Sequence, residues 1–573
     1  MRKSRMIFFL ILAGLLSQTA SQSPSEPRRE RPPEPPGSEL PGSALPRPAA
    51  DLVRYPPEAV EKEVEEVLGK MNDSEILAQT FMFGWQGTQP SPLILEWVKN
   101  RRIGGVKVFG WNARDIETLA ETIAVLQKTA LASPQGIPLL VATDQEGGIV
   151  RHVKGASSDT PGNMAIGASS YPIDAYYSGF YIGRELSLMG INMNFAPVVD
   201  LATRKDSRLI GPRSFGSDPV NTGILGAAFM KGQAAAGIIS TAKHFPGHGD
   251  TSLDSHGTLP RIAADEKTLW DRELVPYRIM VKEGLPAIMS GHLAFPNTPG
   301  GQSPASLSPW FLTGLLRTRM GYRGLIITDD LRMYGAVQAG GSLANTAKEA
   351  LLAGNDMILV SSTPELYSEI WMSLSRSMQN EAAFNARVRE AAGRVLALKL
   401  SGLKRARHIP DTQKLQEIPD REGAVFFRGL AARSVTLIKN GDPPSVPLLP
   451  AGAGRVLLAG QYADFFAAGR KAYPGAASYL FEDSGSAAGL RRMALNADTV
   501  IFCLADSEGQ RLLEAIANLG KKVIVISALN PSFINDDVFR ADAILAVYSY
   551  SADSFTAGFS ALLGRFVPSG KLP

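Results

Sequence analysis

The segment 243–256, KHFPGHGDTSLDSH, concentrates side chains that can bind a substrate or transfer protons. It contains three of the six histidines of the chain, and His292 in MSGHLAFP brings the total to four within about fifty residues. Because glycine and proline are frequent here, the segment is expected to be a loop rather than a helix. A loop of satisfied polar side chains is the structural alternative, but core packing does not require this clustering.

Metal binding is one chemistry that clustered histidines suggest. His244 and His248 are four residues apart, but Pro246 and Gly247 between them prevent the regular helix that would bring both imidazoles to one face. The chain has no HExxH motif. A zinc site is therefore the minor alternative, and we expect no metal or organic cofactor.

Acid–base chemistry fits the residues better. Asp254 and His256 are two residues apart, and a carboxylate beside an imidazole orients the ring and favours its protonated form. In the sequence IITDDL, Asp329 and Asp330 follow an apolar run, and an aspartate there could be a nucleophile if cations such as Lys243 keep its pKa low. A carboxylate nucleophile opposite a proton donor is the arrangement of retaining glycoside hydrolysis, with a His–Asp dyad replacing the usual second carboxylic acid.

The elements that position these residues follow from eight apolar runs between about residues 60 and 400. The runs are LAQTFMFG, IGGVKVFG, LLVATDQEGG, INMNFAPVVD, GIISTAKHFPGHG, AIMSGHLAFP, GLIITDDL and DMILVSS. Runs that are apolar throughout are typical of parallel strands buried on both faces, and helical segments follow most of them. The pattern predicts a (β/α)₈ barrel, with an open doubly wound sheet as the competing architecture. Five of the runs end in polar residues, which such a barrel would collect at one mouth.

These motifs resemble glycoside hydrolase family 3, and specifically its β-N-acetylglucosaminidase branch. The resemblance is carried by KHFPGHGDTSLDSH followed by GLIITDDLRM. It is supported by four further blocks, namely DQEGG, GINMNFAPVVD, RSFG and MSGHLAFP. It covers about residues 60–400 strongly and the C-terminal part, with AARSVTLIKN and SGKLP, more weakly.

The resemblance implies a role for each matching residue. Asp329 would be the nucleophile and His256 the general acid/base, with Asp254 as its orienting partner. The neighbouring Asp330 would be structural. The sugar-hydroxyl ligands implied by the resemblance are Lys243, His244, Asp144 and Arg213.

One block departs from the family pattern DxEGGRVxR. Here it reads DQEGGIVRH, so that Ile149 replaces the first arginine. Arg151 is our candidate to take over sugar binding from one position away. For His248 two readings stay open, a hydrogen bond that packs the loop and a contact with substrate.

The rest of the chain predicts an exported two-domain protein. A basic start followed by the apolar MIFFLILAGLL and small residues predicts a signal peptide over 1–21, and Pro-rich composition predicts a disordered tether over 22–57. We place the barrel at 58–402, a linker at 403–424 and a smaller α/β sandwich domain with a mainly parallel sheet at 425–573. The export signal predicts a periplasmic or extracellular location.

Charge and composition restrict the classes of molecule that the protein could bind. A net charge of +4 does not indicate a nucleic-acid-binding protein. Cys503 is the single cysteine of the chain, and the apolar run around it predicts a buried thiol. The C-terminal domain lacks GxGxxG after its first strand, which disfavours nucleotide binding. We expect a monomer without a membrane span in the mature chain.

The function predicted is an exported retaining β-N-acetylhexosaminidase that releases N-acetylglucosamine from peptidoglycan fragments or chitooligosaccharides. Three alternatives remain: a phosphorylase with the same dyad, a family 3 β-glucosidase, and a non-catalytic protein that binds cell-wall glycan.

Overall fold

The computed structural model describes residues 58–204, 209–251, 257–403, 409–482 and 484–573. The predicted signal peptide, 1–21, and tether, 22–57, lie outside the described residues.

Each of the eight apolar runs contains a strand, as predicted. In chain order the strands of the first domain are β1 (Phe81–Gly84), β2 (Gly105–Lys107), β3 (Leu140–Thr143), β4 (Gln145–Gly147), β5 (Val150–Arg151), β6 (Met193–Asn194), β7 (Ile239–Phe245), β8 (Ala287–Ser290), β9 (Leu325–Thr328) and β10 (Ile358–Val360). The short β4 and β5 form an antiparallel hairpin, and the other eight form one parallel sheet in the order β10-β1-β2-β3-β6-β7-β8-β9. A bridge between Ile327 and Met357 joins the ends of that sheet into a barrel. The predicted fold class is confirmed.

Helices surround this barrel and connect its strands. The α-helices of the first domain are Glu58–Gly69, Asp73–Gln79, Pro92–Glu96, Ile116–Leu131, Asn163–Ser169, Pro172–Leu188, Pro219–Ala235, Glu266–Thr268, Val275–Lys282, Tyr334–Gly340, Leu343–Ala353, Glu369–Asn380 and Ala382–Gly402. The wider π-helical turns are Trp97–Arg101, Leu269–Glu273 and Trp310–Arg319, and the 3₁₀ turns are Gly211–Arg213 and Ala305–Leu307. In the described part of the chain, no helix combines the length and apolarity needed to cross a membrane.

The barrel interior is filled by side chains rather than open. Inward-facing residues of the strands, among them Met82, Met193 and Ile327, pack with Val395 and Leu398 of the last barrel helix. The filled interior leaves the strand ends as the places where a ligand could bind.

Lys399 is buried on that same helix, with 1% of its surface exposed. Its ammonium donates to Gln79 Oε1 at 2.9 Å, and burial lowers its pKa from 10.5 to about 7. Because the folded protein binds this proton less tightly than the unfolded chain, Lys399 costs stability below pH 10.5, and the cost grows as the pH falls towards 7.

We therefore expect Lys399→Met to raise the free energy of unfolding at pH 7 by about 2 kcal/mol, after allowing for the unpaired Gln79 oxygen. The advantage of the variant over the wild type should shrink between about pH 7 and pH 9. Urea unfolding of both proteins across that range measures it. An advantage that did not change with pH would contradict the assignment.

The second domain is built on a six-stranded sheet. Its strands are β11 (Thr436–Asn440), β12 (Val456–Gly460), β13 (Ala477–Leu480), β14 (Thr499–Leu504), β15 (Lys522–Ser527) and β16 (Ala543–Ala546). The order is β11-β16-β15-β14-β12-β13, and only β11 runs antiparallel, against β16. The apolar runs AARSVTLIKNG, RVLLAG, TVIFCLA, KKVIVISAL and AILAVYSYS predict five of these strands. The sixth, β13, was not predicted, because it is an exposed edge strand without a buried apolar face.

Helices cover both faces of this sheet. They are Arg421–Ser434, Pro450–Ala453, Ala463–Ala472, Ala487–Leu495, Ser507–Glu514 and Ala552–Leu562, with 3₁₀ turns at Thr412–Glu417, Ser484–Ser486, Pro531–Phe533 and Val538–Arg540. Cys503 is fully buried in β14, and burial raises the pKa of its thiol, as expected of an inert residue.

The two domains are in direct contact. Arg433 of the second domain pairs with Asp174 of the barrel at 2.6 Å, and the Lys571 amide donates to the Ala168 carbonyl at 2.9 Å. Asn530 approaches Gly211, so that a Cβ on that glycine would stand 3.1 Å from the Asn530 side-chain nitrogen. The second domain therefore braces the barrel loop that carries Arg213.

Candidate active site

The carboxyl ends of the barrel strands bring several charged side chains to one mouth. Lys107 ends β2, Asp144 follows β3, Lys243 lies near the end of β7 and Asp329 follows β9. Parallel strands of a barrel expose their carboxyl ends on the same side, so these four residues converge although up to 222 positions separate them in the chain, from 107 to 329.

Asp144 is the centre of a buried charge cluster. Its Oδ2 accepts from Lys107 Nζ at 2.5 Å, and its Oδ1 accepts from Lys243 Nζ at 2.5 Å. Burial alone would raise the pKa of Asp144, but the two ammonium groups outweigh it and hold that pKa well below its usual range. Asp144 is therefore an ionised acceptor, with 18% of its side chain open to solvent.

Glu146 joins the predicted ligands Lys243 and Arg213. Arg213 donates to both carboxylate oxygens of Glu146 at 2.8 Å, and Lys243 Nζ lies 2.7 Å from Glu146 Oε1. Burial favours the neutral acid, yet the two cations lower the pKa of Glu146 below its usual value. This carboxylate lies in DQEGG, but the sequence predicted no role for it. The sequence feature that could have indicated a role for Glu146 is its position two residues after Asp144.

Removing the carboxylate should destabilise the fold. Glu146→Ala leaves Lys243 and Arg213 buried with one partner fewer, and we expect the free energy of unfolding to fall by about 3 kcal/mol. Urea denaturation measures this. As a control, Glu283→Ala removes the partner of Lys231 on the surface, where the two side chains are 44% and 47% exposed, and should cost less than about 1 kcal/mol. Equal losses in the two variants would contradict the buried network.

Asp329 is half-buried beside this cluster. Its backbone N–H donates to the Ser290 carbonyl at 3.0 Å, and its Oδ1 accepts from the Asp330 N–H at 2.8 Å. Burial would raise the pKa of Asp329, but His244, the Asp330 N–H and Lys243 favour the carboxylate and lower that pKa. The group is thus available as an ionised nucleophile.

Asp330 has a structural position, as the resemblance implied. Its Oδ1 accepts the backbone N–H of Arg332 at 3.0 Å and that of Ser361 at 3.1 Å. Its carbonyl accepts from His292 Nε2 at 3.1 Å, while Ser306 Oγ lies 2.7 Å from His292 Nδ1. His292 is thereby a buried histidine that fixes the turn after β9.

Asp200 organises the start of the histidine-rich segment. Its Oδ1 accepts the backbone N–H of His244 at 3.1 Å and that of His248 at 2.8 Å, and its Oδ2 lies 2.7 Å from His244 Nδ1. Burial opposes ionisation of Asp200, but the two histidines lower its pKa to about 2. His248 is 3% exposed, and neither ring nitrogen has a hydrogen-bond partner among the described residues.

Arg151 is not brought to the cluster. Its guanidinium pairs with Asp159 and reaches the Ser158 carbonyl at 3.4 Å. The next residue, His152, instead lies with Nε2 3.3 Å from Asp144 Oδ2. Directly beyond β5, the His152 backbone N–H donates to the Asp144 carbonyl at 2.9 Å, which holds His152 beside Asp144. His152 is therefore the residue of this motif that lies at Asp144.

An aromatic wall flanks His152. Phe109 and Trp111 stack with ring centroids 4.5 Å apart, and the His152 ring meets Phe109 edge-on at 5.4 Å. Both aromatic residues are half-buried and follow β2, so they stand at the mouth of the barrel. The sequence feature that could have indicated these two rings is VFGWN, the aromatic-containing continuation of the apolar run beyond β2.

Asp254 and His256 lie outside the described residues, which stop at Thr251 and resume at Gly257. Within the described ranges no group of three or more His, Cys, Asp or Glu side chains is arranged to hold a metal ion.

Comparison with known proteins places this site in a family. The model of the glycosyl hydrolase family 3 N-terminal domain matches residues 64–398. Among curated relatives, Beta-hexosaminidase A of Pseudoalteromonas piscicida is 37% identical over 260 residues, 43% of this chain and 43% of the relative. Beta-hexosaminidase of Thiobacillus denitrificans is 37% identical over 281 residues, 48% of this chain and 75% of the relative.

A solved structure agrees over both domains. The family 3 β-N-acetylglucosaminidase of Paenibacillus sp. str. FPU-7 superposes with a TM-score of 0.80 at 28% identity, over 88% of this chain and 98% of its own. The chain belongs to glycosyl hydrolase family 3, a family of glycoside hydrolases. The resemblance to the β-N-acetylglucosaminidase branch is confirmed by these relatives.

Proposed function

We propose that the protein is a retaining β-N-acetylhexosaminidase that hydrolyses terminal β-linked N-acetylglucosamine. The observation that carries the proposal is the ionised Asp329 carboxylate at the barrel mouth, next to His244 and Lys243. The names of the family relatives support the substrate class.

In the first step Asp329 would attack the anomeric carbon. As the C–O bond to the leaving group breaks, His256 would donate its proton to the departing oxygen, and Asp254 would stabilise the imidazolium before the transfer. The products of the step are a glycosyl ester on Asp329, a free alcohol and a neutral imidazole.

In the second step the neutral His256 would take a proton from water. The water oxygen then bonds to the anomeric carbon, the bond to Asp329 breaks, and both residues return to their starting forms. Two displacements at one carbon give a β-configured product. An imidazole in this role also adds no second negative charge beside Asp329.

The charge cluster would bind the non-reducing sugar. Asp144 offers acceptor oxygens, and Lys243 with Arg213 offers donors already held in place by Glu146. Charged partners make stronger hydrogen bonds to sugar hydroxyls than neutral groups do. The rings of Phe109 and Trp111 would give an apolar face for a second sugar.

The cell-wall part of the proposal rests on the N-terminal sequence. A signal peptide over 1–21 would export the enzyme to the periplasm or exterior, where peptidoglycan fragments and chitooligosaccharides are found. The mature enzyme would act there without a cofactor.

Hydrolysis of a panel of aryl glycosides tests the proposal. We expect the N-acetyl-β-glucosaminide to be cleaved far faster than the β-glucoside, with proton NMR showing a β-anomer as first product. An α-anomer would overturn the retaining mechanism, and preference for the β-glucoside would indicate the β-glucosidase alternative. Sugar 1-phosphate formed in added phosphate would indicate a phosphorylase, and no cleavage would indicate a binding protein.

A further inference from the structure

Two anchors hold the described start of the segment that leads to Asp254 and His256. The first is Asp200, which binds the backbone of His244 and His248. The second is an ion pair in which Arg272 Nη2 lies 2.6 Å from Asp250 Oδ2. Asp250 precedes Asp254 by only four residues, so its position limits where that dyad can lie.

Arg272 belongs to the next β/α unit, on the turn Leu269–Glu273. Glu273 accepts from Arg272 Nε at 2.6 Å through Oε1, and this leaves the guanidinium end free to reach Asp250. Glu273 is thus the group that aims Arg272 at the segment.

Glu273 is placed at a cost to stability. It is 1% exposed, and its Oε2 has no hydrogen-bond partner among the described residues. Burial and the nearby charges of Asp200 and Asp250 raise its pKa to about 7 in spite of Arg272. A buried carboxyl that is only half satisfied costs free energy, and such groups concentrate at functional sites.

Glu273 also packs on the segment itself. A Cβ on Gly247 would stand 3.0 Å from Glu273 Oε2, and Gly247 has a φ of +142°, in the region that favours glycine. The carboxyl is thereby wedged against the backbone that leaves β7.

Stability alone does not account for the Arg272–Asp250 pair. The two side chains are 33% and 28% exposed, and ion pairs in such partly solvated positions contribute little to folding. Their geometry, a cation oriented by one carboxylate and pulling on another, suits a positioning role.

We propose that Arg272, oriented by Glu273, is a positioning residue that holds Asp250 so that His256 meets the glycosidic oxygen. The inference rests on the proposed function, since it requires His256 to be the proton donor. Loss of the anchor misplaces the proton donor and leaves Asp329 and the sugar ligands in place.

Leaving-group dependence tests this assignment. Protonation matters for a poor leaving group such as phenol and little for 2,4-dinitrophenol. We expect Arg272→Met to lower kcat/KM about tenfold for phenyl N-acetyl-β-glucosaminide and less than about twofold for the dinitrophenyl substrate. A merely structural role would lower both equally. Equal losses, or no loss, would overturn the proposal.

Matched variants complete the test. Lys267→Met removes the exposed Lys267–Asp271 pair next to the same turn and should change neither substrate. Asp250→Asn should give the same dependence on the leaving group as Arg272→Met. The double variant should be no slower than either single variant, because both changes remove the same ion pair. Glu273→Gln retains an oxygen for Arg272 and should keep most of the activity. Additive losses in the double variant would count against the anchor.

If Arg272→Met fails to fold, the two substrates can be compared with Asp250→Asn instead. His256→Ala separates the two proposals. If it spares both substrates, the proposed function fails and the inference with it. If it shows the leaving-group pattern and Arg272→Met does not, only the inference fails.

Discussion

Asp329→Ala is expected to lower kcat for N-acetyl-β-glucosaminide hydrolysis by about 1,000-fold or more, equivalent to about 4 kcal/mol of transition-state stabilisation. The variant has no carboxylate to form the glycosyl ester, and alanine cannot substitute for it. Initial rates at saturating substrate measure the effect. A loss of less than about tenfold would contradict the nucleophile assignment.

The neighbouring carboxylate provides the control. Asp330 accepts two backbone N–H groups and holds the turn after β9. Asp330→Asn keeps an acceptor oxygen, so its kcat should fall less than about tenfold. Trapping with a 2-fluoro sugar and mass spectrometry should label the wild type on Asp329. A label on Asp330 would exchange the roles of the two residues.

His256→Ala and Asp254→Ala are each expected to reduce turnover severely, by about 100- to 10,000-fold for substrates with poor leaving groups. The two side chains act as one unit, since Asp254 sets the orientation and charge of the imidazole. The double variant should therefore be little slower than His256→Ala alone. Steady-state rates of the three variants, with thermal unfolding to show an intact fold, measure this.

The outcome that contradicts the dyad is equally specific. If Asp254→Ala lost activity while His256→Ala kept it, the proton donor would be the carboxyl, and the resemblance would have assigned the roles wrongly. Additive losses in the double variant would show that the two residues act independently.

The site combines a rigid part with a separately anchored part. Asp144, Lys243 and Asp329 stand at strand ends, where backbone hydrogen bonds of the barrel fix them. The segment that carries Asp254 and His256 is held at its described start by Asp200 and Arg272. A retaining mechanism asks the proton donor to serve twice, first on the leaving oxygen and then on water, so its placement governs both steps.

The sequence by itself determined the barrel and much of its mouth. A strand buried on both faces must be apolar along its length, so the eight strands of the barrel were visible as apolar runs. Polar residues directly beyond a strand need no long-range information to be placed at its carboxyl end, which is why Asp144, Lys243 and Asp329 could be predicted as mouth residues.

Only the tertiary structure decided which of these groups meet. Glu146 pairs with Arg213, which is 67 positions away in the sequence, and Asp144 pairs with Lys243, which is 99 positions away. The choice between Arg151 and His152 depended on the hydrogen bond from the His152 backbone to the Asp144 carbonyl, and the Arg272–Asp250 anchor on packing between two β/α units. Local sequence patterns predict which residues are buried and whether a segment is a strand or a helix. Which residues far apart in the sequence come into contact depends on how the barrel closes.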